Sequence, residues 1–250
     1  MTSIFEYAKD GRWTKPFPQH DMGTYPQANG QTYTGDMPVE EGGNMLTLAA
    51  EICRIEGNTN YVKPYWDLLK TWADYLAENG QDPVNQLCTD DFAGHWAHNA
   101  NLSAKAIMGV AAYGILCKLD GRAQDAEKYL ATAKKMAEQW KKDAADGDHY
   151  RLAFDRPDTW SQKYNLVWDK LWGLNMFDDV MEKEINYYLK KQNVYGLPLD
   201  CRKGYTKSDW ILWTACMAKD NETFKKFVSP VYKFYSETTS RVPMSDWFET

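Results

Sequence analysis

Segments of helical length and of two kinds alternate along this chain of 250 residues. Residues 44–55 and 102–119 are apolar on almost every side, a pattern that is typical of buried helices. Residues 61–77 and 122–142 carry their apolar side chains on one stripe with charged residues opposite, which predicts half-exposed helices. Each buried segment is followed by an amphipathic one, so the pattern predicts helical hairpins.

The same alternation recurs in the second half of the chain. Residues 160–174 and 210–218 are predicted as buried helices, with residues 180–191 and 222–235 as their amphipathic partners. The buried segments begin near positions 44, 101, 160 and 208, a degenerate repeat that is typical of stacked helical hairpins. No segment shows the period of a strand and no Ser/Gly-rich linker divides the chain. We therefore predict one all-α domain over residues 1–250.

Composition excludes several classes of partner. The chain has 35 acidic and 29 basic residues, a formal charge of −6, and no extended basic cluster of the kind that binds nucleic acid. No apolar run approaches the roughly 18 to 20 residues of a membrane span, and the N-terminus lacks a signal-peptide pattern. We expect neither nucleic acid nor a membrane as partner. The 11 Trp, 16 Tyr and 9 Phe residues require a large core or an aromatic-lined cavity.

Loop lengths predict where a site would lie. Connections within each hairpin are short, whereas those between hairpins are long, at residues 79–100, 143–159 and 192–207, with a further long segment at 10–43. All four lead into the N-terminal ends of buried helices, so we expect them to gather on one rim of a ring of inner helices. Each loop mixes carboxylates with aromatic or histidine side chains, which favours a pocket for a polar organic ligand.

Acidic residues on this rim are the catalytic candidates. Glu40 and Glu41 precede a buried helix, where they either belong to the site or only complement the positive N-terminal end of the helix. Asp90 and Asp91 are adjacent, and mutual repulsion would raise one pKa in the way that suits a general acid. An Asx turn is the equal alternative for this pair.

A fourth acid, Asp209, has two readings as well. It follows Thr206 by three residues, the spacing of a capping box, although Thr159 with Gln162 fits that motif better. We therefore keep both a cap and a catalytic role open for Asp209. The predicted catalytic acids are Glu41, Asp90, Asp91 and Asp209.

The remaining rim residues predict a substrate pocket. Aromatic rings would line it, and cationic side chains would bind a substrate carboxylate. The predicted lining rings are Trp96, Trp160, Tyr164 and Trp210. The predicted cations are Arg156, Lys163 and Arg202, and the further polar contacts are Glu40, His95 and His98.

Metal ligation is not expected. His95 and His98 have a spacing that would place both on one side of a helical turn, but no third ligand follows at a recognised spacing. The five cysteines show no C-x-x-C pair. We therefore predict no metal and no cofactor, and expect both histidines to form hydrogen bonds within the rim.

Seven segments of the chain resemble the glutaminase A family, and specifically its six-helical-hairpin domain in the form found in gut Bacteroidetes. They are WTKPF at 13–17, HDMGTYP at 20–26, GDMPVEE at 35–41, LCTDDFAGH at 87–95, WSQKYN at 160–165, YGLPLD at 195–200 and SRVPMSDW at 240–247. Together they extend over essentially the whole chain.

The resemblance implies an (α/α)6 toroid of the type found in six-hairpin glycosidases, and hydrolysis of L-glutamine to L-glutamate and ammonia. Members of the family are typically exported, with β-rich domains upstream, which implies an extracellular or periplasmic location and other domains as partners. The chain begins close to the toroid and ends where another inner helix is expected. We therefore expect a toroid that is incomplete at its ends, within a longer multidomain protein. The resemblance supplies no catalytic residues.

Three functions remain open at this stage. The leading hypothesis is a hydrolase that acts on a small molecule, glutamine, through a water activated by the rim acids. The second is a glycoside hydrolase, which would use paired rim carboxylates on a carbohydrate. The third is a non-catalytic binding domain of a secreted protein.

Overall fold

A computed structural model of the chain describes residues 1–88, 93–239 and 244–250. The described residues form nine α-helices and two short strand pairs. They divide into two compact units, Met1–Trp140 and Lys141–Thr250, each of which is described by itself below.

The first unit contains the hairpins that the periodicity predicts. Its helices are α1 (Thr2–Lys9), α2 (Pro38–Glu56), α3 (Trp66–Asn79), α4 (Ala100–Leu119) and α5 (Ala123–Ala144), the last of which continues four residues past the unit. The predictions of α2 to α5 are confirmed, whereas α1 was not expected. Helix α3 begins later than predicted because Pro64 lies in a separate 3-10 turn at Lys63–Tyr65.

Helices α2 and α4 pack backbone against backbone. A Cβ atom on Gly109 would lie 3.1 Å from the Cα of Gly43, and one on Gly43 would lie 2.4 Å from Lys105 Cγ. The two glycines therefore allow a close approach that larger residues would prevent. This contact places Lys105 of α4 beside the first turns of α2.

Helix α4 corrects one expectation from the sequence. It is long and apolar enough to cross a membrane by length and composition, which contradicts the statement that no apolar run approaches a span. In this structure 83% of the apolar window is buried inside the protein. Burial of this extent is typical of the central helix of a folded core, and core helices of this kind are often as long and as apolar as a membrane span.

The second unit contains α6 (Val167–Trp172), α7 (Asp178–Tyr188), α8 (Ser208–Cys216) and α9 (Asn221–Glu237). Three agree with the predicted segments, but α6 is much shorter than the predicted 160–174. A 3-10 turn at Tyr164–Leu166 leads into it, and the chain at 160–163 is extended, with Ser161 bridged to Asp200, because the backbone N–H of Gln162 donates to Leu199 O at 2.8 Å. Gly173, with a φ of 64°, ends the helix.

Two short antiparallel strand pairs occur where the sequence predicted none. β1 (Ala145–Asp146) pairs with β2 (His149–Tyr150), and β3 (Tyr205–Lys207) pairs with β4 (Trp247–Glu249). Strands of two or three residues are too short to show an alternating pattern. The predicted all-α class, built from six-hairpin-type helical pairs, is nevertheless confirmed.

Candidate functional site

The first turn of α2 combines two glutamates with a lysine from α4. Glu40 is buried, and its Oε1 lies 2.5 Å from Nζ of Lys105. The same ammonium donates to Oδ1 of Asn44 at 2.7 Å, one turn further along α2. Lys105 therefore neutralises the buried charge of Glu40 and joins α2 to α4.

Glu41, the next residue, is half-buried and keeps contact with solvent. Burial raises the pKa of Glu41 to about 7, and the negative charge of Glu40 contributes to the rise. Lys105, a hydrogen bond from Asn44 and the charge of His20 oppose it. A carboxyl group that titrates near neutral pH can both accept and donate a proton there, as general acid–base catalysis requires.

The sequence pattern indicates Glu40 and Glu41, but it does not indicate three of the residues around them. Lys105 carries the strongest overlooked signal, since a lysine in the middle of an otherwise apolar helix needs a buried partner. Asn44 and His20 gave no comparable signal, because their proximity to Glu41 depends on how α2, α4 and the N-terminal segment pack.

Other residues of the first unit fall into two groups. Asp90 and Asp91 lie outside the described residues. His95 is exposed and forms a hydrogen bond with Asn85 at 2.8 Å, whereas His98 contacts Asp82 at 2.7 Å. The φ of 62° at His98 excludes a regular helical turn there, so the spacing of the two histidines does not make them a helical pair.

Trp96 is half-buried on the same loop. Among the residues that the structure describes, no group of three or more His, Cys, Asp or Glu side chains is placed to hold a metal ion.

Lys163, in the second unit, was predicted to bind a substrate carboxylate, and the structure contradicts that prediction. Its side chain is 0% exposed, so it is not available to a substrate carboxylate. Its Nζ donates to Ser161 O at 2.9 Å and lies 3.6 Å from Oε2 of Glu184. Glu184 also accepts the backbone N–H of Tyr150 at 2.8 Å and the hydroxyl of Tyr188. The group is a sealed polar cluster that holds the chain before α6.

Arg202 is likewise used within the fold. Its guanidinium forms bonds of 2.6 to 3.0 Å to both carboxylate oxygens of the buried Asp200. This pairing leaves it poorly placed to bind a substrate carboxylate. Arg156 is exposed, with its Nε 3.9 Å from Asp155, and stays a candidate cation.

Aromatic rings cluster at the start of α8. Trp210 stacks on Tyr164, with ring centroids 4.2 Å apart, and packs edge-on against Trp213 at 5.1 Å. Tyr164 is buried and Trp210 is half-buried. Trp160 is also buried, against Tyr188 at 6.1 Å, so Trp160 and Tyr164 serve mainly as core residues.

Asp209 lies in the first turn of α8, with a side chain that is 43% exposed. Its Oδ1 accepts the backbone N–H of Trp210, and Lys207 lies 3.8 Å from Oδ2. The expected capping box is absent, because Thr206 belongs to β3 and accepts a hydrogen bond from Gln162 instead. The alternative box also fails, since the backbone N–H of Gln162 donates to Leu199 O and Oγ1 of Thr159 accepts the N–H of Leu152 instead.

The geometry therefore selects Glu41 as the strongest acid–base candidate among the described residues. Burial raises its pKa, it keeps contact with solvent, and its neighbour Glu40 is paired with the buried Lys105. The predicted rim residues are divided between the two units, so a common rim stays a prediction.

Comparison with known families now gives the class of protein. The family model that describes the Glutaminase A six helical-hairpin domain matches residues 1–250 of this chain. The chain therefore belongs to this family.

Two curated fungal proteins are similar to the whole chain. Glutaminase A of Aspergillus oryzae is 32% identical over 258 residues, which cover 100% of this chain and 37% of that protein. A protein of Arthroderma benhamiae named "Probable glutaminase" is 25% identical over 340 residues, covering 100% of this chain and 39% of the relative. The chain thus spans less than two fifths of these relatives. Both are fungal, so they do not support the Bacteroidetes-type resemblance.

A solved structure shares the fold. A glycosidase variant in complex with glucose aligns with a TM-score of 0.64 and 14% identity, covering 94% of this chain and 64% of the other. At this identity the likeness concerns the fold alone. It agrees with the predicted toroid class of helical hairpins.

Proposed function

We propose that the protein is a hydrolase that releases ammonia from L-glutamine, with Glu41 as the acid–base residue. The observation that carries the proposal is the half-buried Glu41 carboxyl, whose pKa burial raises to about 7. The family and the relative named Glutaminase A support the choice of an amide substrate.

The chemistry requires one proton acceptor that later becomes a donor. As a carboxylate, Glu41 would take a proton from a water molecule that attacks the side-chain amide carbonyl of glutamine. The resulting acid would then protonate the nitrogen, which leaves as ammonia when the C–N bond breaks. Lys105 would stay paired with Glu40, which leaves the adjacent Glu41 carboxyl for the proton transfer.

Ammonia release tests the proposal directly. The protein is incubated with millimolar glutamine and ammonia is measured by a coupled assay, for wild type and for Glu41→Gln. We expect Glu41→Gln to lower kcat by about 100-fold or more, because general acid–base residues contribute that much or more. Glu56→Gln is the matched control, since Glu56 ends the same helix and is exposed.

Two results would contradict the proposal. The first is no ammonia above the blank from the wild-type protein. The second is a Glu41→Gln variant that is as active as the Glu56→Gln control.

A second candidate is glycoside hydrolysis. A single carboxyl with a pKa near 7 also suits the general acid of a glycosidase, and the fold is shared with a glycosidase whose structure contains glucose. This reaction needs a second carboxylate, for which the sequence offers Asp90 and Asp91. Release of nitrophenol from nitrophenyl glycosides by wild type, and its loss in Glu41→Gln, would favour it over glutamine hydrolysis.

The third hypothesis, a non-catalytic binding domain, makes the opposite prediction. Binding of glutamine, measured by calorimetry, would persist in Glu41→Gln, and no turnover would occur in either form. The extracellular or periplasmic location and the additional domains stay proposals drawn from the family, which fractionation of the producing cells would test.

A further inference from the structure

A shallow surface groove of about 780 Å³ lies in the second unit, along α9 and the chain that follows α7. Its apolar lining residues are Leu189, Val194 and Pro230. Its lysines, all from α9, are Lys225, Lys226 and Lys233. The proposed reaction uses none of these residues, since Glu41 belongs to the first unit.

Pro230 fastens the chain after α7 to α9. A proline inside a helix has no N–H, so the carbonyl oxygen of Lys226, four residues earlier, loses its usual helical donor. Nε2 of Gln192 donates to this oxygen at 3.2 Å. Gln192 lies between Leu189 and Val194 in the chain, so the hydrogen bond holds the apolar wall of the groove beside the lysines.

The lysines make the groove positive. Three lysines line it against one carboxylate, that of Glu222, although the whole chain has a formal charge of −6. Lys225 lies 3.2 Å from Glu222, and Lys233 lies 4.0 Å from Glu237. These four side chains are 48% to 81% exposed, and ion pairs so exposed to water are weak. The lysines can therefore bind an incoming anion at little cost.

The length of the lysine face suits an extended peptide. From Glu222 to Lys233, α9 rises about 16 Å, at about 1.5 Å per residue. An extended peptide advances about 3.3 Å per residue, so about five of its residues would lie along the groove.

The two sides of the groove also suit the side chains of an extended peptide. Successive side chains of an extended chain point to opposite sides. Acidic side chains at alternate positions would thus face the lysines of α9, while the apolar ones between them would face Leu189 and Val194. Val194 is 62% exposed, so it is available for such a contact.

This chain does not itself contain a segment of that kind. Nowhere in its 250 residues do acidic and apolar residues alternate over four consecutive positions. A second copy of the chain is therefore not the expected occupant. Charge complementarity instead favours a different protein, because opposite charge speeds association and selects the partner.

We propose that the groove between α9 and residues 189–194 is a docking surface for an extended acidic segment of another protein, in which acidic and apolar side chains alternate. Lys226 and Lys233 bind the carboxylates of the segment, and Leu189, Val194 and Pro230 contact its apolar side chains. The proposal does not depend on the proposed function, so the ammonia assay does not bear on it.

Binding of a synthetic peptide tests the proposal. A fluorescein-labelled hexapeptide in which glutamate and leucine alternate is titrated with the protein at about 0.15 M salt, and fluorescence anisotropy gives Kd. A second labelled peptide has its three glutamates before its three leucines, so that charge and composition are the same. We expect the alternating peptide to bind about tenfold more tightly or better, because only it matches both sides of the groove.

Charge reversal on α9 gives the matched comparison. The double variant Lys226→Glu, Lys233→Glu should weaken binding of the alternating peptide about tenfold or more, because both changes place a negative charge at the groove. The control is Lys134→Glu with Lys135→Glu, at exposed positions of α5, which changes the net charge equally. It should leave Kd within about twofold, since salt screens distant charges.

Val194→Ser tests the apolar wall separately. It should weaken the alternating peptide by about two- to fivefold, because less apolar surface is buried against leucine. All of the substituted side chains are exposed, and circular dichroism of each variant checks that the helices are intact.

Several results would overturn the proposal. Equal Kd values for the two peptides, or for the groove variant and its control, would mean that no such segment docks here. Polyphosphate that displaces the peptide at an equal concentration of charge would show that the groove binds charge alone. A dimer seen by sedimentation without peptide, and dissociated by the groove variant, would assign the surface to a second copy instead.

Discussion

The two units each contain a buried lysine–glutamate pair, and the pairs differ in what lies next to them. In the first unit Lys105 binds Glu40, and the adjacent Glu41 keeps contact with solvent. In the second unit Lys163 and Glu184 are both 0% exposed, and their remaining polar contacts are to the backbone and to other buried side chains.

This difference separates a reactive arrangement from a structural one. Burial raises the pKa of both Glu41 and Glu184, but only Glu41 can exchange its proton with solvent or a substrate. A raised pKa is therefore a guide to function only when the group is also accessible. The sealed Lys163–Glu184 cluster instead fixes the extended chain that replaces the first turns of the predicted α6.

The largest expected effect is on the sealed pair. Lys163→Met would leave the Glu184 carboxyl buried without its cation, and we expect it to lower the free energy of unfolding by about 3–5 kcal/mol. Urea denaturation measures the change. Lys190→Met, which removes an exposed lysine 3.3 Å from Asp148, is the control and should cost less than about 1 kcal/mol. Equal effects from the two variants would show that burial does not distinguish them.

A second effect concerns the pH dependence of stability in the first unit. Because the folded state raises the pKa of Glu41 from 4.5 to about 7, it binds a proton more tightly than the unfolded chain does. Stability from this group is full below about pH 4.5 and is lost as the pH rises to about 7, by at most about 3 kcal/mol.

Denaturation of wild type and Glu41→Gln at several pH values tests this prediction. The difference between the two stability curves should change between pH 4.5 and 7 and be flat above 7. A constant difference across that range would mean that Glu41 titrates normally. Glu184 contributes to both curves with the same sign, so it cancels in the comparison.

A third prediction concerns the close packing of α2 against α4 at Gly43, which places Lys105 beside Glu40. An alanine Cβ at position 43 would lie 2.4 Å from Lys105 Cγ and 3.1 Å from the Lys105 carbonyl oxygen. We expect Gly43→Ala to destabilise the protein by about 1–3 kcal/mol through overpacking, measured by thermal or urea denaturation. It should also shift the titration of Glu41. Gly57→Ala would not serve as a control because Gly57 has a φ of 68°. Gly42→Ala on the same helix is the comparison, because its Cβ would meet the side chain of Leu76 at 3.1 Å and not Lys105.

The smallest effect is expected at Asp209. Its carboxylate lies at the positive end of α8 and is 43% exposed, so Asp209→Asn should cost less than about 1 kcal/mol of stability. A larger loss would indicate a structural role that the exposed geometry does not explain. If Asp209→Asn lost most of the activity without losing stability, Asp209 would be a catalytic residue.

Much of the helical pattern could be predicted because it is local. The all-round apolar composition of α4 and the one-sided stripe of α5 each follow from residues within one helix. The predicted helix is absent at residues 160–163, and the cause there is long-range. There the backbone bonds to distant partners, Leu199 O and the Tyr188 hydroxyl, override a helical periodicity.

The residues of the candidate site show the same contrast between local and long-range information. Their positions at or near the starts of predicted buried helices identified Glu40 and Glu41 as candidate acids and Lys163 as a candidate cation. Whether a charged side chain is accessible or sealed depends on residues far away in sequence, such as Glu184 for Lys163 and Lys105 for Glu40. No local pattern contains that information.

The sequence by itself therefore determined the helical hairpins, the family and a short set of candidate acids, because periodicity and motifs are carried by neighbouring residues. Only the tertiary structure decided that burial raises the pKa of Glu41 to about 7 while leaving it in contact with solvent, and that Lys163 and Arg202 are used within the fold. The physical reason is that burial and charge pairing are properties of packed surfaces. They arise when α2 meets α4, and when Glu184 of α7 meets Lys163 in the chain before α6.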